Sequence, residues 1–248
     1  MSPGPHLPDG IPADAIPAGP EEALPPRRRL GRRLTGSGIE VGPGRSPFRP
    51  PGVTVRTVGQ WHPAGAPDGG RGFDLDAHPG GGGGDEPVAP DVVADVNLER
   101  LGAFADASQD FVIASHVVEH LADPLGFLSD AHRVLRPGGV LLLFLPDRHR
   151  TADRFRPPTP LGHLVEEHRE DTTVVSDAHL AEYARDRGIA LHRGRRRRET
   201  LDRLRAQSVH AHCWDAAEFV EMLRWAAEHL GHPWELEDGC LYEPPFSF

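Results

Sequence analysis

The chain has 248 residues, 28 of them Gly and 26 Pro, with a formal net charge of −10. That length suits one α/β domain with appendages, and no apolar run approaches the length a membrane-spanning helix needs. The sequence opens without a charged segment leading into an apolar stretch, so no secretory signal is expected. Two cysteines, Cys213 and Cys240, are too few for a disulfide framework. A cytoplasmic protein is the expectation. All 27 basic residues are arginine, and the overall acidity argues against general nucleic-acid binding, which requires a basic footprint. The one basic cluster, Arg195–Arg198, reads as a solvated face.

Residues 1–26 hold eight prolines and no hydrophobic period, and read as a disordered leader. A short basic helix is expected over 27–34. Ile39-Glu40-Val41 reads as a brief buried strand running into Gly42-Pro43-Gly44, and Val53–Val58, alternating and β-branched, as a second strand. Residues 61–90 carry a glycine run and several prolines and read as a long flexible loop. Strands are then expected at 91–95 and 110–115, followed by helical patterning over 116–121. A longer helix begins at Pro124, a residue suited to a first turn, and Pro137-Gly138-Gly139 ends it. Val140–Leu145 is wholly apolar, the pattern of a central parallel strand covered on both faces. Beyond Pro160 helices are expected at 160–170, 177–187, 199–207 and 215–230, so that about 150–208 forms a helical insertion on the substrate side. Trp234-Glu235-Leu236 is the last candidate strand. Alternating strands and helices mean a doubly wound, mostly parallel α/β sheet.

In such a sheet, ligands bind beyond the carboxyl ends of the strands, where glycines let the backbone approach closely. Glu40-Val41-Gly42-Pro43-Gly44 occupies that place after the first strand. The third glycine of a pyrophosphate-binding turn is missing, which disfavours a dinucleotide. The run DASQDFVIASHVVEHLADPLGFLSDAHRVLRPGGVLLLFLPDR, with the glycine turn and Asp95 before it, resembles the class I S-adenosylmethionine-dependent methyltransferases, in particular their type 11 group. The resemblance covers about residues 36–150, with a weaker echo at 209–223. It implies a Rossmann-like fold, S-adenosyl-L-methionine as cofactor and methyl transfer to an O or N atom of a small-molecule acceptor. It further implies that Glu40, Gly42 and Gly44 cradle the methionine and ribose end of the cofactor. Asp95 would accept from the adenine amino group, with Val96 offering backbone contact, and Ser115 and His116 would lie under the sulfonium centre.

Two features depart from the family pattern. Gly59 stands where an acid usually holds the ribose hydroxyls, with Asp74 or Asp76 as conceivable substitutes. Pro244-Pro245 in the tail is poorly tolerated in a central strand, so the last antiparallel strand is expected to be missing or displaced. A degenerate methyltransferase fold serving as a binding scaffold is therefore the alternative function. His116-Val117-Val118-Glu119-His120 also matches the H-x-x-E-H spacing of a zinc peptidase, with Glu166, Glu167 or Glu182 as third ligand. A divalent metal at His116, Glu119 and His120 is conceivable without being favoured. For a general base, His116 is the first candidate, with His120 and His212 behind it. His210 and His212 alternate as strand neighbours would, placing both imidazoles on one face and Cys213 on the other. Asp95 and Ser115 could instead be helix caps, and Asp147-Arg148 a capping salt bridge.

Overall fold

A computed structural model describes residues 26–44, 47–60 and 89–239. The leader, most of the 61–90 loop with Asp74 and Asp76, Cys240 and the proline-bearing tail lie outside the described residues.

The described chain runs α1 (Pro26–Gly31), β1 (Ser37–Val41), β2 (Thr54–Gly59), β3 (Val92–Val93), β4 (Gln109–Ser115), α2 (Pro124–Val134), β5 (Leu135–Phe144), α3 (Leu161–Arg169), α4 (Asp177–Asp186), α5 (Arg195–Ala206) and α6 (Ala216–Leu230). Its five strands pair in parallel in the order β3-β2-β1-β4-β5. The order reverses at β1, so β1 and β4 flank the switch point where a ligand is expected.

Alternation in the strands separates two apolar faces. Ile39, Val41, Val112 and Ala114 pack with Leu125, Leu128 and Ala131 of α2 and with Phe219 and Met222 of α6. Phe111, Ile113 and Leu142 face the other way, onto Leu34, Phe48 and α1. The helices begin where the sequence supplies caps. Asp123 accepts from Gly126 N at 2.7 Å with Pro124 at the first helical position of α2. Asp215 and Glu218 form a reciprocal capping box on α6, which Gly231 closes with φ 69°. A second small core, built from Leu180, Tyr183, Leu201, Leu204 and Val209, holds α4 and α5 together. The Arg195–Arg198 run forms the first turn of α5, largely exposed, with Arg195 paired to Glu199 at 2.6 Å.

Four expectations are corrected. Residues 116–121 do not form an α-helix: His116 takes φ 53° and only Val118–His120 coil, as a 3-10 turn. Pro137-Gly138-Gly139 does not separate α2 from the next strand. Strand β5 already starts at Leu135 opposite Gln109, and the register shift before Phe111↔Val140 absorbs these residues, with Gly138 at φ 78°. The apolar stretch 140–145 is not central either, since β5 pairs only with β4 among the described residues and most of its side chains are half-buried. Finally, Trp234-Glu235-Leu236 is irregular rather than a strand.

Candidate functional site

The carboxyl ends of β1, β2, β3 and β4 meet along one edge of the sheet. Gly42 and Gly44 leave β1 with φ 62° and 54°, and a Cβ at Gly44 would meet nothing within 4 Å. This is a turn only glycine enters without strain, open on the side a ligand would approach. Gly42 N donates to Val58 O at 2.9 Å, which ties the turn to β2.

Glu40 lies beneath this turn, 1% exposed, and its Oε2 accepts from Phe48 N at 2.7 Å. Burial pushes its carboxyl up to about 7, although Phe48 N and the guanidinium groups of Arg27 and Arg49 pull the other way. The acid of the motif therefore anchors the segment that returns from the turn. At the end of β2, a Cβ on Gly59 would meet Pro43 Cδ at an ordinary 3.6 Å, so there is room for the absent acid's stem. Gln60 follows, donating to Asp95 Oδ2 at 2.6 Å.

Asp95 caps no helix, because 96–103 is a run of turns. Its Oδ1 accepts from Asn97 N at 2.9 Å, and its own N–H donates to Glu99 Oε1. A carboxylate has acceptor sites beyond these two bonds. Val96 is half-buried beside a small cleft shared with Asn97 and Arg100. Ser115 ends β4 opposite Phe144, and His116 follows with its N–H bound to Phe144 O. The glycine turn, the acceptor at Asp95 and the half-buried end of β4 have the chemistry the expected cofactor would need along this edge. The ribose position at Gly59 offers no acid of its own.

The three candidate bases separate sharply. The His116 side chain is 42% exposed, with Nδ1 3.3 Å from Glu119 Oε1. His120 is 5% exposed, and burial with the neighbouring His210 pushes its imidazole down to about 4 even though Glu119 pulls upward. His212 is fully buried, and burial together with His179 and His163 holds it well below the ordinary imidazole range. Burial alone would raise Glu119, but the His116 hydrogen bond and the electrostatics of His120 and His210 outweigh it and hold the carboxyl low.

The peptidase geometry does not form. His116 and His120 do not share a helix face, and the donors that gather are Glu119, His120 and His210, all buried. Nor do His210 and His212 share a face, because 209–214 is irregular chain. His210 turns to Asp153, Nδ1 to Oδ2 at 2.5 Å, while His212 Nε2 approaches Glu167 Oε2 at 3.7 Å. Cys213 does point away, Sγ lying 3.2 Å from Pro157 O, and burial raises its thiol to about 11. Asp147 caps His149 N at 2.9 Å and lies 3.9 Å from Arg150 rather than pairing with Arg148.

Two groups of residues were missed in the sequence. Asp153 and Arg156 are buried partners at 3.0 Å, and Arg156 donates to the carbonyls of His210 and Ala211 at 3.0 Å each, pinning the segment that leads to α6. Asp153 is held near 2 because His210 and Arg156 outweigh its burial. His163, Glu167 and His179 form a second gathering of metal-capable donors. The i,i+4 spacing of His163 and Glu167 on α3 was the available signal for it.

Residues 84–143 match the methyltransferase-domain family of type 11. A "probable S-adenosylmethionine-dependent methyltransferase" of Mycolicibacterium smegmatis is 54% identical over 52 residues, 21% of this chain and 20% of that protein. The ubiquinone biosynthesis O-methyltransferase of Parvibaculum lavamentivorans is 39% identical over 57 residues, covering 23% and 22%. The match thus spans about a fifth of the length of these curated relatives. Among solved structures, a SAM-dependent methyltransferase of Thermotoga maritima aligns with 81% of this chain and 69% of its own, with a TM-score of 0.38 and 14% identity. No helix among the described residues is long and apolar enough to cross a membrane. The similarity to the methyltransferase-domain family thus lies in residues 84–143, within a parallel sheet that reverses at β1 and carries an open glycine turn after that strand.

Proposed function

We propose that the protein is a cytoplasmic enzyme that moves a methyl group from S-adenosylmethionine to an oxygen of a small-molecule acceptor, with His116 as the general base. The observation that carries this reading is the position of His116: exposed, at the end of β4 and directed by a buried carboxylate. The cofactor supplies an electrophilic methyl group. The chain's own residues would hold it along the sheet edge at Gly42, Gly44, Asp95, Val96 and Ser115, with Glu40 bracing the turn from below. Glu119 orients the imidazole through Nδ1, so the other ring nitrogen would take the acceptor's hydroxyl proton as the new O–C bond forms. Alignment of acceptor and methyl donor would supply most of the acceleration, and the base about 10²-fold or more. His120 and His212, both buried and neutral, suit that task less well. The ubiquinone-pathway relative acts on oxygen by name, which agrees with a base-assisted transfer; an amine acceptor remains the second choice.

Calorimetric titration with S-adenosylmethionine and S-adenosylhomocysteine, followed by transfer assays on phenols and amines, tests this reading. His116→Ala should cut kcat at least about 10²-fold with cofactor affinity unchanged. Full turnover in that variant refutes the base. A protein that binds neither cofactor form at millimolar concentration is instead the scaffold that Gly59 suggests.

A further inference from the structure

We propose that His163, Glu167 and His179 form a site for one divalent transition-metal ion of the zinc class in the α3–α4 insertion, with His212 of the segment that enters α6 packed beside it. His163 and Glu167 are one turn apart on α3, His179 lies in the first turn of α4, and His212 lies just before α6. The donor atoms of the three ligands all lie within 4.8 Å of one another. His179 Nε2 is 2.7 Å from Glu167 Oε1, His163 Nε2 is 3.1 Å from His179 Nε2 and 3.3 Å from Glu167 Oε1, and His212 Nε2 is 3.7 Å from Glu167 Oε2. A tetrahedral ion with bonds of about 2.0–2.1 Å sets its ligand atoms about 3.3 Å apart.

Hydrogen bonding alone leaves this cluster poorly satisfied. A neutral His179 carries at most one proton on Nε2, yet that atom faces both the Glu167 carboxylate and the His163 ring nitrogen. Glu167 Oε2 has no hydrogen-bond partner, although Glu167 is 6% exposed. Such a group costs free energy unless something pairs with it. A cation held by the carboxylate and the two imidazoles of His163 and His179 would pair with it and relieve the crowding at His179 Nε2 at once.

The chemistry selects the ion. Two imidazole nitrogens and one carboxylate suit zinc and its neighbours rather than calcium or magnesium, which take oxygen. Three protein donors leave the fourth tetrahedral position to water or another ligand. His163, with its side chain 40% exposed, gives the ion a way in. In the nearby Glu119–His120–His210 group, Asp153 and His116 already engage two of the three members. His212 N also donates to Glu119 O at 3.0 Å, so an ion here would steady the chain beneath His116.

The test uses the full chain, stripped with a chelator and then freed of it. Zinc titration by calorimetry, with elemental analysis, should give one tightly held ion per chain and raise Tm by several degrees. His163→Ala and Glu167→Gln should each weaken zinc about ten-fold or more, whereas Glu119→Gln should not. Cobalt loaded into the unaltered protein should show the intense visible bands of a tetrahedral site, a readout that does not depend on any variant folding. Absence of stoichiometric zinc overturns the proposal. So does a faint octahedral cobalt spectrum, or an affinity lost in Glu119→Gln but kept in His163→Ala and Glu167→Gln.

Discussion

Glu40 is a buried acid under the glycine turn, and its neutral isostere should stabilise the protein at alkaline pH. The carboxyl is pushed up from an ordinary 4.5 to about 7, mainly by burial. An unfolded chain ionises this group above about 4.5, whereas the native state holds its proton until about 7. Stability from this group is therefore full at acid pH, falls as pH rises between those values, and stays low above them. Each tenfold difference in proton affinity between the two states is worth about 1.4 kcal/mol, so the loss amounts to about 3 kcal/mol. Glu40→Gln keeps an oxygen to accept from Phe48 N and removes the charge. The arginine contacts it forfeits are long, 3.8 Å to Arg27 and 4.0 Å to Arg49, and both partners are substantially exposed. Urea unfolding at pH 5 and pH 8 decides the matter. The variant should match the parent at pH 5 within about 1 kcal/mol and exceed it by about 2–3 kcal/mol at pH 8. A variant that is weaker at both values, or that differs equally at both, would refute a native carboxyl strained by desolvation.

Asp153→Asn should cost about 3–5 kcal/mol in urea unfolding, because it leaves the guanidinium of Arg156, 2% exposed, without its close carboxylate. Gly38→Ala should lower Tm sharply, since the added carbon would stand 2.2 Å from Phe111 O in the β1–β4 pair, a clash that only backbone movement relieves. Gly44→Ala meets open space, so its effect should be a backbone strain of about 1–2 kcal/mol together with weaker S-adenosylmethionine binding, measured by calorimetry.

The doubly wound sheet was legible because strand burial is written in short apolar runs, and Gly42 and Gly44 marked the turn that leaves β1. What escaped depends on long-range placement. His116–Leu121 carries a helical pattern, yet His116 in the left-handed region starts a tight turn instead, and this dissolves the apparent zinc-peptidase spacing. The apolar run at 140–145 resembled a central strand because its alternate residues pack onto two different clusters, even though β5 has one neighbour among the described residues. Asp153 and Arg156 gave no local sign at all. Arg156 donates to the carbonyls of His210 and Ala211 and Asp153 meets the His210 imidazole, all more than fifty residues away. Alternation misled at His210 and His212 for the same reason, since buried carboxylates on different elements draw the two imidazoles apart.

His120 supplies a titration of the opposite sign in nearly the same window. Burial and His210 hold its native imidazole down to about 4 against an ordinary 6.5. As pH falls below 6.5 the unfolded chain gains a proton that the native state refuses, so stability is lost down to about pH 4, by about 3 kcal/mol in all. Over that range Glu40 pulls the other way, gaining stability as it is protonated. The two contributions should nearly cancel in the parent protein, leaving its acid limb to the other depressed imidazole, His212. Glu40→Gln removes one of the cancelling pair. With a chelator present, so that no cation holds the neighbouring imidazoles, its unfolding free energy should fall by at least about 3 kcal/mol between pH 6.5 and pH 4, and by more than the parent's. If the variant loses nothing over that range, His120 is not held neutral by its burial. The imidazole would then carry charge beside Glu119, and the orientation of His116 would rest on an ion pair rather than on a lone carboxylate.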